Sequence, residues 1–456
     1  MCGIFGVYGN KEAVDLTYLG LYALQHRGEE SAGIVASDKN QLKGVVDMGI
    51  VSEVFDRDSL QKLQGEISIG HVRYSTTGSS VIKNAQPFVA EFSNASIAIA
   101  HNGNFVNSAN LRTKLEEEGS IFQSTMDSEL ILHLIARSKK ADFKEKIFDA
   151  FSQVRGAHSI LILTKNQLIA ARDVNGFRPL CLGRLGDTYL VSSETCAFDL
   201  IKAKYIRDIE PGEVLVIDDK GLNSYKPSES EKKSFCIFEF IYFARPDSNI
   251  FEGNVYFTRK ELGRQLAKEW PVDADIVLAV PDSGNYAALG FAEESGIKLE
   301  MGIIRNHYVG RTFIQPLQKI RDLGVKVKLN PVQEVIKGKK IVIIEDSIVR
   351  GTTSRIRIKT LREAGAKEVH MRVSCPPLIS PCFYGIDFPT KDELIASHNS
   401  VSDITKLLDL NSLGYLSLEG MLKAMPIKGE KFCTACFTGE YPVEVDKNVN
   451  KRCCGE

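Results

Sequence analysis

The stretch Ile341–Ser354 reads IVIIEDSIVRGTTS. Its four aliphatic residues, Ile341 to Ile344, predict a short buried strand of a parallel sheet, with two acids, Glu345 and Asp346, at its carboxyl end. Small and hydroxylated residues follow, Ser347, Gly351, Thr352, Thr353 and Ser354, and lead into a helical run. Ligands of open α/β sheets bind outside the carboxyl ends of strands, and a helix start offers unpaired backbone N–H groups to an anion. The hydroxyls and amides of Arg350 to Ser354 therefore suit a phosphate, and the acid pair suits sugar hydroxyls or a metal ion. An ordinary βα turn with its acids in water is the plain alternative.

The order of strand, acid pair, Gly-Thr-Thr loop and helix resembles the phosphoribosyl pyrophosphate loop of type I phosphoribosyltransferases. Upstream, Ile276 to Val280 reads as another strand ending in Pro281-Asp282-Ser283-Gly284, by itself a β-turn sequence. The resemblance makes that turn the holder of pyrophosphate, with Ser283 near a Mg²⁺ ion that Glu345 and Asp346 also reach. Between the two lies Arg305–Pro331, a polar segment rich in Lys and Arg with no clean period. A long irregular insert in a compact domain usually means a lid or disorder. Here it fits a flap that closes over pyrophosphate, with Arg311 and Lys328 as phosphate contacts and Tyr308 as a hinge-region signal. Lys319 to Lys328 lacks interleaved aromatics, so it reads as anion binding in a closed site, not nucleic-acid binding.

A chain of 456 residues predicts two or three domains whose cores need no disulfides. The formal net charge of −1 supplies no field for nucleic acid or an anionic membrane. No apolar run approaches membrane-spanning length, and the start, MCGIFGVYG, lacks the features of a secretory signal. A reducing cytoplasm is the expectation, where ten cysteines point to metal or catalytic work.

In the first half, removal of Met1 would leave Cys2 as first residue. Its α-amine would titrate near 7.7 to 8.0, close enough to neutrality to serve as base for its own thiol, and such a thiol can attack an amide carbonyl. Alone, Cys2 reads equally as a small buried residue. Other segments add to it: Leu24–Gly33 (LQHRGEESAG), His71–Gly78 (HVRYSTTG), His101–Asn104 (HNGN) after a strand, and Ser124–Glu129 (STMDSE), which opens a long helix from Leu130. Cys2 and these segments, in this order, resemble the amino-terminal-nucleophile glutamine amidotransferases. The resemblance implies Cys2 as nucleophile, Arg73 on the glutamine α-carboxylate, Asp127 on its α-ammonium, and the Asn102 side chain with the Gly103 N–H as oxyanion hole. Taken singly, Arg73 suits a surface ion pair, Asn102–Gly103 a tight turn and Asp127 a helix cap. The arginines of Arg172–Leu180 (RDVNGFRPL) read as structural.

Cys433-Thr-Ala-Cys436 is a CxxC, ambiguous among zinc, iron–sulfur and redox use, with Cys236 and Cys382 upstream. Spacing leaves Cys375, Cys453 and Cys454 as rivals, and Cys181 and Cys196 read as core. The contexts PCFYGIDFP and FCTACFTGEYP resemble the iron–sulfur branch of the amidophosphoribosyltransferases. That implies Cys236, Cys382, Cys433 and Cys436 as ligands of a structural 4Fe–4S cluster.

A charged, proline-bearing stretch, Lys226–Lys233, marks the expected boundary. Residues 1–232 are expected to form an α+β glutaminase domain of four αββα layers. Residues 233–456 are expected to form an α/β type I phosphoribosyltransferase domain with a parallel sheet. The family's reaction releases ammonia from glutamine and uses it to displace pyrophosphate from phosphoribosyl pyrophosphate, committing it to purine synthesis. The resemblance also implies an enclosed passage between the sites, a homotetramer and purine nucleotides as feedback inhibitors. One departure is Glu345, where the family usually has aspartate. A sugar-phosphate aminotransferase would share Cys2 and Arg73 but lack the acid-pair loop. A phosphoribosyl pyrophosphate-sensing regulator would keep that loop and lack the nucleophile.

Overall fold

The protein, seen in a computed structural model, is described for residues 1–75, 80–92, 95–227, 232–306 and 329–445. Tyr308, Arg311 and Lys328 of the expected flap, and Cys453 and Cys454, lie outside these residues. Among the described residues no helix is long and apolar enough to cross a membrane.

The chain opens with β1 (Gly3–Tyr8), α1 (Ala13–Ala23), β2 (Ser31–Ser37), β3 (Leu42–Met48), β4 (Ile67–Arg73), β5 (Phe88–Phe92) and β6 (Ala95–Phe105). Three helices follow, α2 (Ser108–Glu117), α3 (Glu129–Arg137) and α4 (Phe143–Gln153). The expected long helix from Leu130 is thus two: Ser138 turns extended after α3, and Asp142 caps α4 by accepting the Lys144 N–H. Then come β7 (Gly156–Leu163), β8 (Leu168–Arg172), β9 (Cys181–Leu185), β10 (Thr188–Ser192), α5 (Cys196–Leu200), β11 (Lys204–Asp208), β12 (Val214–Asp218) and β13 (Gly221–Tyr225).

These strands form two antiparallel sheets, ordered β11-β9-β10-β1-β4-β2-β3 and β13-β12-β8-β7-β6-β5. Successive side chains of a strand point to opposite faces, so a sheet covered on both sides must be apolar on both. Ile4, Ile69, Ala98, Leu161 and Leu215 accordingly fill the space between the sheets. Their neighbours Phe5 and Val72 pack with Leu21 of α1 on one outer face. Ile97, Ile99 and Ile160 pack with Ile131 and Ile135 of α3 on the other. The layers are therefore helix, sheet, sheet, helix.

The second half begins with β14 (Phe235–Cys236) and a π-helical turn, Glu239–Phe243. It continues through α6 (Val255–Glu269), β15 (Ile276–Ala279), α7 (Asn285–Ser295), β16 (Leu299–Glu300), β17 (Ile303–Arg305), β18 (Leu329–Pro331), β19 (Lys340–Glu345), α8 (Thr352–Glu363) and β20 (Glu368–Val373). After α9 (Val401–Leu407) come β21 (Ser412–Tyr415) and β22 (Phe432–Cys433). The sheet β16-β15-β19-β20-β21 is parallel throughout, with Ala279 opposite Ile344 and Glu345 opposite Val373. The ends of the basic insert, β17 and β18, pair antiparallel as a ribbon.

The halves share packing. Ala157 and Phe177 of the first belong to the core of the second. Phe177 stacks on Tyr384 at 4.3 Å, and Asn104 Nδ2 donates to the Phe383 carbonyl at 2.8 Å.

Candidate active sites

Cys2 stands immediately before β1, half-buried, where the two sheets of the first half come together. Its backbone N–H donates to Asn102 Oδ1 at 3.3 Å and its thiol to the Tyr74 carbonyl at 3.6 Å. Asn102 and Gly103 lie in β6 of the facing sheet, opposite Ser159 and His158 of β7. Asn102 is 1% exposed, and its Nδ2 is buried without a hydrogen-bond partner. A buried donor left unmade is costly, so such an amide is a binding group in waiting. Gly103 passes so close to β7 that a Cβ would lie 2.0 Å from the Ala157 carbonyl oxygen, which restricts the position to glycine.

Arg73 ends β4 and is buried, with Nη1 3.7 Å from Glu30 Oε2. Glu30 also accepts from the Ser75 N–H and hydroxyl at 3.0 and 2.8 Å. Asp127 precedes α3: its Oδ1 accepts from His101 Nδ1 at 3.3 Å and its Oδ2 from the Phe105 N–H at 2.9 Å. Burial pushes this carboxyl up, but His101 and the backbone donors outweigh it and hold it below its ordinary value. His71, beneath them, is kept neutral: burial drives it down to about 3, and its Nε2 donates to the His101 carbonyl. The structure thus brings Cys2 and Asn102 together across the two sheets.

The segment Leu24–Gly33 carries a further member, Arg27, whose Nε donates to the Cys2 carbonyl at 2.9 Å. Arg178 donates through Nε to the Tyr384 carbonyl at 3.0 Å across the halves. Both are fully buried and both meet Glu239. Only the HRG sequence inside the quoted segment signals Arg27; nothing local to Glu239 announces its partners.

In the second half, Glu345 is the last residue of β19 and Asp346 the first beyond it, each 5% exposed. Glu345 pairs with Arg357 of α8. Burial nevertheless pushes its carboxyl up to about 7, helped by the Asp346 charge and opposed by Arg357. Ser347 Oγ donates to Asp346 Oδ2 at 2.7 Å. Arg350 Nε donates to Glu393 at 2.7 Å. Gly351, at φ +76°, caps α8 in the left-handed region that favours glycine, so Thr352, Thr353 and Ser354 already belong to the first helical turn. Ser283 lies in the turn between β15 and α7, and its neighbour Asp282 pairs with Arg305.

The four cysteines converge on one region. Cys236 of β14 and Cys433 of β22 are register partners in a parallel pair. The Ile379 and Ser380 N–H groups donate to the Cys436 carbonyl, and the Tyr384 N–H donates to Cys382 Sγ at 3.3 Å. All four are free thiols. Burial raises Cys433 and Cys436 and pushes Cys236 up to about 11, and each also feels the charge of others in the set. Cys375 is also buried, its thiol donating to the Pro376 carbonyl at 3.3 Å, and it too is near enough to be felt by Cys436. Among the described residues no three His, Cys, Asp or Glu gather tightly enough for a single metal ion.

Residues 71–199 match the glutamine amidotransferase domain family. The amidophosphoribosyltransferase of Bacillus subtilis is 50% identical over 452 residues, covering 97% of this chain and 94% of its own length. The chloroplastic amidophosphoribosyltransferase 2 of Arabidopsis thaliana is 51% identical over 453 residues, covering 99% of this chain and 81% of its own. A solved structure of the B. subtilis glutamine phosphoribosylpyrophosphate amidotransferase, complexed with ADP and GMP, superposes with a TM-score of 0.93 over 98% of this chain and 99% of that one, at 49% identity. With nearly the whole length of both chains matched at about half identity and the backbones superposing, this chain belongs to the amidophosphoribosyltransferase family.

Proposed function

We propose that the chain releases ammonia from glutamine at Cys2 and transfers it to phosphoribosyl pyrophosphate, giving 5-phosphoribosylamine, glutamate and pyrophosphate at the first step of purine biosynthesis. Residues 1–232 supply the first activity and 233–456 the second. The observation that carries this reading is the buried, unpartnered Asn102 amide whose own oxygen holds the Cys2 N–H.

With Met1 removed, the Cys2 α-amine takes the thiol proton, and the sulfur attacks the side-chain carboxamide carbon of glutamine. Negative charge grows on the former carbonyl oxygen, where Asn102 Nδ2 and the Gly103 N–H donate. The Cys2 α-ammonium returns that proton to the leaving nitrogen, so collapse expels ammonia and leaves a thioester, which water cleaves to glutamate and the free thiol. Arg73 grips the α-carboxylate and Asp127 the α-ammonium; Asp127 has a lone pair left beyond the donors from His101, Phe105 and Ser128.

In the second activity Glu345 and Asp346 hold the ribose side, and Ser347, Arg350, Gly351, Thr352, Thr353 and Ser354 hold the phosphate. Arg311 and Lys328 cover the pyrophosphate. Ser283, Glu345 and Asp346 suit Mg²⁺, which takes one or two carboxylates plus substrate phosphates and would neutralise the leaving group. The four free cysteines suit a 4Fe–4S cluster, which is held by four thiolates: Cys236 and Cys433 are register partners, and Cys433 and Cys436 both feel Cys236 and Cys382. Its role there is structural. The chain further acts as a cytoplasmic homotetramer inhibited by purine nucleotides; the relative complexed with ADP and GMP supports nucleotide binding.

The test compares glutamine with ammonia as nitrogen donor, following pyrophosphate release. Cys2→Ala is expected to lose glutamine-driven synthesis and keep ammonia-driven synthesis. Equal loss of both would refute separate sites.

A further inference from the structure

The carbonyl of the nucleophile is held by a charge network that the second half completes. Arg27 directs Nε at the Cys2 carbonyl, 2.9 Å away. Its terminal nitrogens meet two carboxylates: Nη1 contacts Glu194, and Nη1 and Nη2 reach Glu239 at 3.0 and 2.9 Å. Glu194, from the first half, also takes His26 Nε2 at 2.8 Å, the Arg245 N–H at 2.8 Å and Ser248 Oγ at 2.7 Å. Glu239, from the second half, is additionally 3.4 Å from Arg178 Nη1. The side chains of Arg27, Arg178, Glu194 and Glu239 have no exposure to solvent.

Burial turns these bonds into a constraint. A bidentate guanidinium–carboxylate pair fixes distance and plane together, and away from water the partners cannot be exchanged. With Nη1 and Nη2 seated on Glu239, the direction of the Nε–H bond follows from the planarity of the guanidinium. Glu239 is itself fixed: its π-helical turn is clamped by Arg259, which donates to the Phe240 and Ala244 carbonyls at 2.7 and 2.8 Å. The first half brings two arginines and a single carboxylate to this network. The balancing charge arrives from the other half.

We infer that Glu239 is a positioning residue for glutamine hydrolysis: a carboxylate from the phosphoribosyl half orients Arg27, and through it the backbone at Cys2, against the Asn102 amide. The inference rests on the reading of Cys2 as nucleophile. A misplacement of the attacking atom by about 1 Å lowers turnover about a hundredfold, while Arg73 and Asp127, which hold the substrate, are untouched.

The test uses the full chain with Glu239→Gln, which keeps the shape but replaces one acceptor oxygen with a donor, alongside Glu239→Asp and Cys2→Ala. For Glu239→Gln, the glutaminase kcat is expected to fall about ten- to a hundredfold with the glutamine KM within about threefold. The ratio of glutamine- to ammonia-driven synthesis falls by the same factor, alkylation of Cys2 by iodoacetamide changes rate, and Glu239→Asp recovers part of the loss. An unaltered kcat for Glu239→Gln beside an inactive Cys2→Ala overturns the positioning role and leaves the nucleophile intact. So does a parallel loss of both activities, which is what a purely structural role gives. Persistent glutaminase in Cys2→Ala would instead sink the reading of Cys2. If Glu239→Gln does not accumulate, Arg27→Lys keeps the charge and removes the Nε bond: a kcat-selective loss supports the inference, and wild-type kinetics overturn it.

Discussion

The first half mounts most of its proposed reactive groups on strands; the second gathers its own around the loop between β19 and α8. Arg73 ends a strand, Asn102 and Gly103 lie within one, and Cys2 abuts a third. In the second half the acids and hydroxyls flank the loop from β19 to α8, with Glu345 closing the strand and Thr352 to Ser354 opening the helix, and the charges are engaged by the chain's own ions: Glu345 by Arg357, Asp282 by Arg305 and Arg350 by Glu393. The difference follows from the chemistries. Covalent attack needs a fixed trajectory, which paired strands provide. A highly charged phosphate ester instead exchanges ions with its site, and internal pairs keep the charges compensated until it arrives.

That contrast can be broken by substitution. Asp346→Ala should cost the most, about a thousandfold or more in ammonia-driven synthesis, because it removes a carboxylate from the proposed phosphate and cation site. Glutamine hydrolysis should persist, as read by glutamate release, and a matching collapse of hydrolysis would deny the independence of the halves. Asn102→Ala should lower glutaminase kcat about 10²- to 10³-fold, the usual effect of losing one oxyanion donor, and leave ammonia-driven synthesis in place. A change confined to the glutamine KM would move Asn102 from transition-state to ground-state binding. For the cysteines, anaerobic purification should yield about four irons per chain, and Cys436→Ser should reduce that content and the thermal midpoint together. Stoichiometric zinc without iron would reject the ligand set.

The same contrast governs what the sequence disclosed. Ile341–Ile344 and Ile276–Val280 are apolar runs that end abruptly in polar residues, so both strands were legible and their ends mark the candidate site. Cys2 alone was not; it gained meaning from HNGN and STMDSE, where a strand or helix boundary coincides with a polar cluster. The Arg27–Glu194–Glu239 network was illegible, because its members lie 167 and 212 residues apart and no periodicity ties them together. Arg178 read only as structural, and its contact with Glu239 depends on how the halves dock. The split of α3 from α4 falls in the polar run Arg137–Asp142, which interrupts the apolar pattern and which a reading of one long helix from Leu130 passes over.

The smallest predicted effect concerns pH and has opposite signs in the two halves. His158, stacked on Phe151 at 5.3 Å and buried, is driven down to about 3 by burial, with His101 adding to it. Its folded value lies below its unfolded one, so the unfolded chain binds the proton first. The stability it confers is therefore complete above about pH 6.5 and declines as pH falls towards 3, by about 2 kcal/mol between pH 6.5 and 5. Glu345 behaves inversely: its value of about 7 lies above the unfolded one, so its contribution is complete below about pH 4.5 and declines as pH rises to 7. Hydrogen exchange, corrected for the intrinsic effect of pH, separates the halves. Acidification from pH 6.5 to 5 should deprotect β7 more than β19, and His158→Phe should remove most of that excess. Raising the pH from 5 to 7.5 should deprotect β19, and Glu345→Gln should flatten the trend. Equal deprotection of β7 and β19 in both directions would mean that the halves open as one unit, and the rigid-sheet, exchangeable-loop distinction would then describe local geometry without describing local stability.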